Sequence, residues 1–223
     1  MTKVKVCGIT TLADGLAAIA AGADLLGFNF YPPSPRYLPP AQCAEIVAGL
    51  RARQPDPARA EPVVMVGVFV NTPPEAVAEI IDRCGLDLAQ FSGDEPAANL
   101  ATLGNRAFKV LRPGSLAELE EALQMYSLRA EAPAWLIDAF RPGEYGGTGQ
   151  TADWSLARAL ARQAPILLAG GLTSANVATA IAQVRPWGVD VASGVEAAPG
   201  RKDRARMDTF IKAVQRPVEE TTA

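Results

Sequence analysis

An unbroken alternation of short β-like runs with helical runs, repeated eight times, constrains this chain more than any other feature of its sequence. The β-like runs are apolar or β-branched and cover Lys3–Val6, Leu25–Phe28, Val63–Phe69, Leu86–Phe91, Ala107–Leu111, Ala134–Ile137, Ile166–Ala169 and Val189–Ala192. Each is followed by an alanine- or leucine-rich stretch of helical period. Those stretches are Leu12–Ala21, Ala41–Ala52, Pro74–Cys84, Ala97–Leu103, Leu116–Ser127, Ser155–Ala161, Ser174–Gln183 and Asp203–Val214. Eight β-then-α units in one series predict an α/β fold closed into a single (β/α)8 TIM barrel rather than an open sheet. The barrel domain is expected over residues 1–216, with a short C-terminal tail at 217–223. Asn71-Thr72-Pro73-Pro74-Glu75 and Thr173-Ser174 read as caps for the third and seventh helices. The stretch Arg53–Pro62, rich in proline, alanine and charge, reads as a surface excursion between units two and three.

Composition narrows the function classes. A hydrophobic content of 49% with 20% charged residues suits a chain that buries a substantial core. The formal net charge of −3 gives no basic surface for nucleic acid or anionic lipid, though one local phosphate pocket is compatible with it. No run reaches the roughly 18 apolar residues that cross a bilayer, and Met1–Cys7 lacks the apolar stretch of a signal peptide. The three cysteines, Cys7, Cys43 and Cys84, are odd in number and without metal-ligand spacing. A reducing, cytoplasmic setting follows as the expectation. There is no histidine, so acid–base work falls to cysteine, carboxylates, lysine or tyrosine.

In a barrel of this kind chemistry sits just after the strands. Cys7 ends strand one, and period-two alternation turns Lys5 and Cys7 toward the axis while Val4 and Val6 face the helices. By the same parity Asp190 in strand eight points inward. A buried lysine needs an anionic partner, so a Lys5–Asp190 pair is expected beneath Cys7, with the cation lowering the thiol's pKa. Asp138 ends the apolar run Trp135-Leu136-Ile137, where desolvation would keep a carboxyl protonated and make it a candidate general acid. Gly170-Gly171 and Ser193-Gly194 follow strands seven and eight, the places where such barrels build phosphate sites. Arg36 sits in a loop stiffened by Pro32, Pro33, Pro35 and Pro39, a setting suited to bidentate carboxylate binding. Gly146-Gly147-Thr148-Gly149 lies in a long loop from Ala139 to Asp153 that reads as a lid or binding loop.

Taken in order, these segments resemble the phosphoribosylanthranilate isomerase family of tryptophan biosynthesis. The resemblance rests on Lys5-Val6-Cys7-Gly8-Ile9-Thr10, Gly27-Phe28, Ser34-Pro35-Arg36 and Val68-Phe69-Val70-Asn71 in the first half of the chain. In the second half it rests on Leu136-Ile137-Asp138, Gly146–Gly149, Asp153-Trp154, Leu168-Ala169-Gly170-Gly171-Leu172, Gly188–Val191, Ser193-Gly194-Val195-Glu196 and Pro199-Gly200. It implies an Amadori rearrangement of N-(5-phosphoribosyl)anthranilate to 1-(2-carboxyphenylamino)-1-deoxyribulose 5-phosphate, without metal or organic cofactor. Carried over by position, Asp138 matches the general acid, Cys7 the general base and Arg36 the holder of the anthranilate carboxylate. Gly171 and Gly194 with their neighbours Gly170 and Ser193 match the phosphate cradle. Parity adds Gln90 and Asp190 as substrate-binding residues.

One departure stands out. The family usually reads Gln-Leu-His-Gly-Asp/Glu at the end of strand four, where this chain has Gln90-Phe91-Ser92-Gly93-Asp94-Glu95. A ribulose-phosphate epimerase would need metal-binding histidines, and indole-glycerol-phosphate synthase a strand-three lysine absent from Val63–Phe69. A non-catalytic barrel that binds a phosphorylated metabolite is the alternative from another class. The partner expected is a small phosphorylated substrate, with neither nucleic acid nor membrane, in a monomer or homodimer.

Overall fold

The computed structural model describes residues 1–53, 61–127, 129–138 and 153–215. Its strands are β1 (Lys3–Cys7), β2 (Leu25–Asn29), β3 (Val64–Phe69), β4 (Leu88–Phe91), β5 (Ala107–Leu111), β6 (Trp135–Ile137), β7 (Ile166–Leu168) and β8 (Gly188–Val191). They pair in parallel in sequence order and close into a barrel when β8 returns to β1. The helices between and after them are α1 (Leu12–Ala21), α2 (Pro40–Arg51), α3 (Pro74–Cys84), α4 (Ala97–Leu103), α5 (Leu116–Met125), α6 (Trp154–Ala161), α7 (Val177–Val184) and α8 (Arg204–Gln215).

Strand alternation sorts the apolar side chains into two cores. Val4, Val6, Leu26, Phe28, Met65, Phe69, Ile137 and Val189 join the shell between strands and helices. Leu25, Val66, Leu88, Phe108, Val110, Leu136, Leu167 and Ala169 form a separate cluster inside the barrel. Strands β2 to β7 therefore serve both cores, one residue out of step, while β1 and β8 turn Lys5, Cys7 and Asp190 inward instead. Polar residues of the same inward parity lie beyond the inner cluster toward the carboxyl ends of the strands. The interior is thus an apolar plug with a polar lining above it.

Local signals explain most element ends. Thr11 and Ser115 cap α1 and α5 by accepting from the N–H groups of Asp14 and Glu118, and Asp153 caps α6 through Ser155 and Leu156. Gly22 closes α1 at φ 110°, a left-handed conformation that glycine adopts without strain. Two expected caps are corrected. Asn71 lies at φ 52° and turns its side chain to the N–H of Asp94, which leaves Pro73 as the residue before α3. Thr173-Ser174 precede a turn, and α7 starts only after Asn176. The Thr173 N–H donates to Asn176 Oδ1, and Asn176 Nδ2 donates to the Gly171 carbonyl.

Glu196–Ala198 and Arg201–Lys202 form an antiparallel pair, β9 and β10, that the sequence reading does not contain. This hairpin follows β8. Thr10 Oγ1 donates to the Gly200 carbonyl at 2.6 Å, which ties it to the loop after β1. The Gly146–Gly149 run with the rest of 139–152, residues 54–60 of the expected excursion and the tail at 217–223 lie outside the described residues. Among the described residues no helix is long and apolar enough to cross a membrane.

Candidate active site

The carboxyl ends of the strands surround a cavity of about 280 Å³ lined by Cys7, Arg36, Gln90, Ser92, Arg112, Asp138 and Asp190 with parts of the second loop. A smaller hollow of about 50 Å³ adjoins it, lined by Gly170, Gly171, Ser193 and Gly194. Asp138, Asp190 and Ala192 border both spaces. All nine residues singled out from sequence, three on β1, β4 and β8 and the rest after β2, β6, β7 and β8, therefore line one continuous site.

Cys7 is held at the seam of the barrel. Lys5, fully buried, donates from Nζ to Asp190 Oδ1 at 2.8 Å, and the two residues are paired in register across β1 and β8. Gly27 lies opposite Cys7 on β2, and a Cβ there would stand 2.8 Å from Cys7 Sγ and 3.1 Å from Lys5 Nζ. The missing side chain is what lets the thiol and the ammonium share this corner. Lys5 lowers the thiol's pKa as expected, but the net shift is upward. Burial pushes the Cys7 thiol up, Lys5 and Lys202 oppose it, and Asp190 adds to it. Lys5 is already neutralised by Asp190, so its net field on Cys7 does not overcome desolvation.

Asp138 follows β6, and its N–H donates to the Leu111 carbonyl, which continues the ladder one residue beyond the strand. Its carboxylate faces Arg112, with Nε and Oδ2 3.9 Å apart. The surroundings are therefore less apolar than the Trp135-Leu136-Ile137 run suggests. Arg112 also donates from Nη1 to the Ser92 carbonyl at 2.9 Å, so one guanidinium links the ends of β4 and β6. Parity along β5, with Phe108 and Val110 inward, is the signal that places Arg112 in the site. Gln90 Nε2 donates to Ser92 Oγ at 3.1 Å, while Gln90 Oε1 is buried without a partner among the described residues. Serine thus occupies the position of the family's imidazole by bonding sideways to its own strand.

The smaller hollow has the shape of an anion cradle. Gly170 and Gly171 adopt φ 88° and 56°, open to glycine without strain, and the Asn176 side chain pins their loop. A Cβ on Gly194 would collide with the Leu172 carbonyl oxygen, so loops seven and eight touch backbone to backbone. Close backbone walls of this kind suit a phosphate, which takes its hydrogen bonds from N–H groups.

Arg36 reaches the cavity already engaged. Its Nε and Nη2 donate to Glu196 Oε1 and Oε2 at 2.8 and 2.7 Å, a bidentate pair between the second loop and β9. Lys202 Nζ bonds the same carboxylate at 2.7 Å and the Ala192 carbonyl at 3.2 Å. Glu196 and Lys202 were not among the candidate residues. Their partners are 160 positions away in one case and across a hairpin in the other, so no local period points to them.

Residues 4–213 match the family model described as N-(5′-phosphoribosyl)anthranilate (PRA) isomerase. The N-(5′-phosphoribosyl)anthranilate isomerase of Geobacter sulfurreducens is 45% identical over 213 residues, which cover 95% of this chain and 98% of that protein. The dimeric isomerase of Thermotoga maritima superposes with a TM-score of 0.81 at 36% identity, covering 96% and 98% of the two chains. An isomerase structure in complex with reduced 1-(o-carboxyphenylamino)-1-deoxyribulose 5-phosphate gives a TM-score of 0.78 at 34% identity, with the same coverage.

Proposed function

The chain belongs to the N-(5′-phosphoribosyl)anthranilate isomerase family, and from that premise we propose that Cys7 is the general base and Asp138 the general acid of its reaction. The reaction is the Amadori rearrangement of N-(5′-phosphoribosyl)anthranilate in tryptophan biosynthesis. The observation that supports the assignment is the placement of the two groups. They come from β1 and β6 and face one cavity, with a glycine-walled hollow at its side.

In this reading the phosphate lies against Gly170, Gly171, Ser193 and Gly194, where the loop backbones carry the charge. Phosphate at one end and carboxylate at the other orient the sugar between acid and base. Asp138 gives its proton to the ribose ring oxygen as the C1′–O bond breaks, and the amine nitrogen's lone pair forms the C=N bond of a cationic Schiff base. Cys7 then takes the C2′ proton, and the electron pair left behind forms the enolamine, which tautomerises to the ketose. The positive charge of the Schiff base favours the thiolate at the step that needs it, against the burial that disfavours it in the free protein. Gln90 offers its unpartnered Oε1 to a donor on the substrate, and Asp190 reaches the sugar from the wall shared by the two spaces. Arg36 holds the carboxylate of the substrate with the part of its guanidinium that Glu196 leaves open. A cytoplasmic setting belongs to the same proposal and accords with three free, buried cysteines. The oligomeric state proposed is monomer or homodimer.

The test follows the loss of anthranilate-type fluorescence during isomerisation in wild type, Cys7→Ser and Asp138→Asn. Each variant is expected to lose about 10²–10⁴-fold in kcat while still binding a product analogue. Retention of full turnover by either variant removes that residue from its role.

A further inference from the structure

We propose that Glu196 is a positioning residue for substrate recognition: its carboxylate fixes Arg36 so that only the terminal edge of the guanidinium is presented to the substrate's carboxylate. The inference rests on the reading of Arg36 as the carboxylate-binding residue and extends it to a group that touches no substrate atom.

A guanidinium offers two edges for bidentate binding, one through Nε and one Nη, the other through the two Nη atoms. Glu196 occupies the first edge with bonds of 2.8 and 2.7 Å. The second edge remains for a planar anion in the cavity that Arg36 lines. The rest of the arginine is equally constrained. Its N–H donates to Ser34 Oγ, and its stem lies across Gly8, at φ 79°, where a Cβ would collide with Arg36 Cδ. The preceding residue packs its carbonyl 2.7 Å from the position a Cβ of Gly200 would take. The loop, the stem and the fork of Arg36 are each fixed by a different part of the chain.

Glu196 is itself buried and anchored from a second side by Lys202, while Arg206 donates to its backbone carbonyl. Two cations on one carboxylate leave the cluster with a net positive charge. A lone Arg36–Glu196 pair would be neutral and would offer an incoming carboxylate little. Lys202 therefore lets Glu196 hold the arginine without cancelling its attraction for the substrate. A long flexible cation becomes a rigid one before substrate arrives, which removes part of the ordering cost of binding.

The experiment measures dissociation constants for two probes, reduced 1-(o-carboxyphenylamino)-1-deoxyribulose 5-phosphate and the same compound lacking the ring carboxylate. The ratio of the des-carboxy constant to the carboxylated one reports carboxylate recognition alone. In Glu196→Gln the ratio is expected to fall about tenfold to a hundredfold, with affinity for the des-carboxy probe unchanged and KM raised far more than kcat is lowered. Glu196→Asp keeps the charge but withdraws it by one methylene, so an intermediate ratio is expected. It also serves as the informative variant if Glu196→Gln does not fold. Equal weakening of both probes in the folded variants means that Glu196 merely supports the loops, and the proposal fails. A ratio that rises means that Glu196 competes with substrate for Arg36, and the proposal fails with the opposite sign. Arg36→Met separates the underlying reading. If its ratio collapses while that of Glu196→Gln persists, Arg36 keeps its role and only the inference is lost. If its ratio is unchanged, the carboxylate is read elsewhere and both fall.

Discussion

At the scale of single residues the site is governed by what surrounds one thiol. Cys7 is buried, and desolvation pushes its pKa upward although Lys5 and Lys202 pull it down. The free protein should therefore carry Cys7 as a thiol at neutral pH, with the thiolate appearing above the ordinary cysteine value of about 8.5. Replacing Lys5 by Met removes a cation and leaves Asp190 without its partner, and both changes disfavour the thiolate. In Lys5→Met the pH of half-maximal alkylation of Cys7, read by mass spectrometry, is expected to rise further. An unchanged midpoint would mean that the lysine has no electrostatic role. The sequence showed that Lys5, Cys7 and Asp190 share the interior. It did not show the sign of the shift, because the sign depends on how far Asp190 neutralises Lys5.

At the scale of elements, the loop after β4 is held by a buried ion pair that the catalytic reading does not use. Glu95 and Lys109 meet at 2.6 Å with both side chains buried, and Glu95 also accepts from the N–H groups of Asn71 and Gly93. Lys109 lies on the outward face of β5, with its ammonium 5.3 Å from the centroid of the Tyr126 ring. One carboxylate thus joins the ends of β3, β4 and β5 just behind Gln90 and Ser92. Glu95→Ala leaves a buried cation and two N–H groups without their acceptor, at a cost of about 3–5 kcal/mol. For a chain of this size that corresponds to roughly 10 °C or more in Tm, measurable by calorimetry. A loss of activity without a fall in Tm would instead place Glu95 in the chemistry. Strand and helix positions were legible because each obeys a local period, and α1, α3 and α4 match their expected bounds. The Asn71 and Thr173 caps are misplaced because the Asn71 side chain accepts from the Asp94 N–H in a neighbouring loop, while Thr173 Oγ1 accepts from the Ala175 N–H within its own turn, ahead of α7. The β9–β10 hairpin was invisible for a related reason: its strands are three and two residues long, too short for alternation to register.

At the scale of the whole molecule, contacts between the first units and the last close the barrel and complete the site. Lys5 meets Asp190, Thr10 meets Gly200, and Arg36 meets Glu196, so the functional mouth depends on the closure itself. This dependence gives stability an acid limit. Burial would raise the Glu196 carboxyl, but its bonds to Arg36 and Lys202 outweigh burial and hold it below the usual carboxylate range. A carboxyl with a lower pKa in the folded state than in the unfolded state stabilises the fold above its unfolded value, and that contribution is lost as pH falls through the folded value. Chemical denaturation midpoints should therefore decline below about pH 4.3, and less steeply in Glu196→Gln. An equal decline in both proteins would assign the acid limit to other carboxylates. The seam has one more consequence, for the order in which the molecule comes into being. Lys5 and Cys7 are translated well before Asp190, since 185 positions separate Lys5 from the aspartate that neutralises it. Until that aspartate has been made, the lysine must stay hydrated and the thiol exposed to solvent, because their enclosure is not yet made. The first strand of the barrel acquires its chemistry only when the last folds against it.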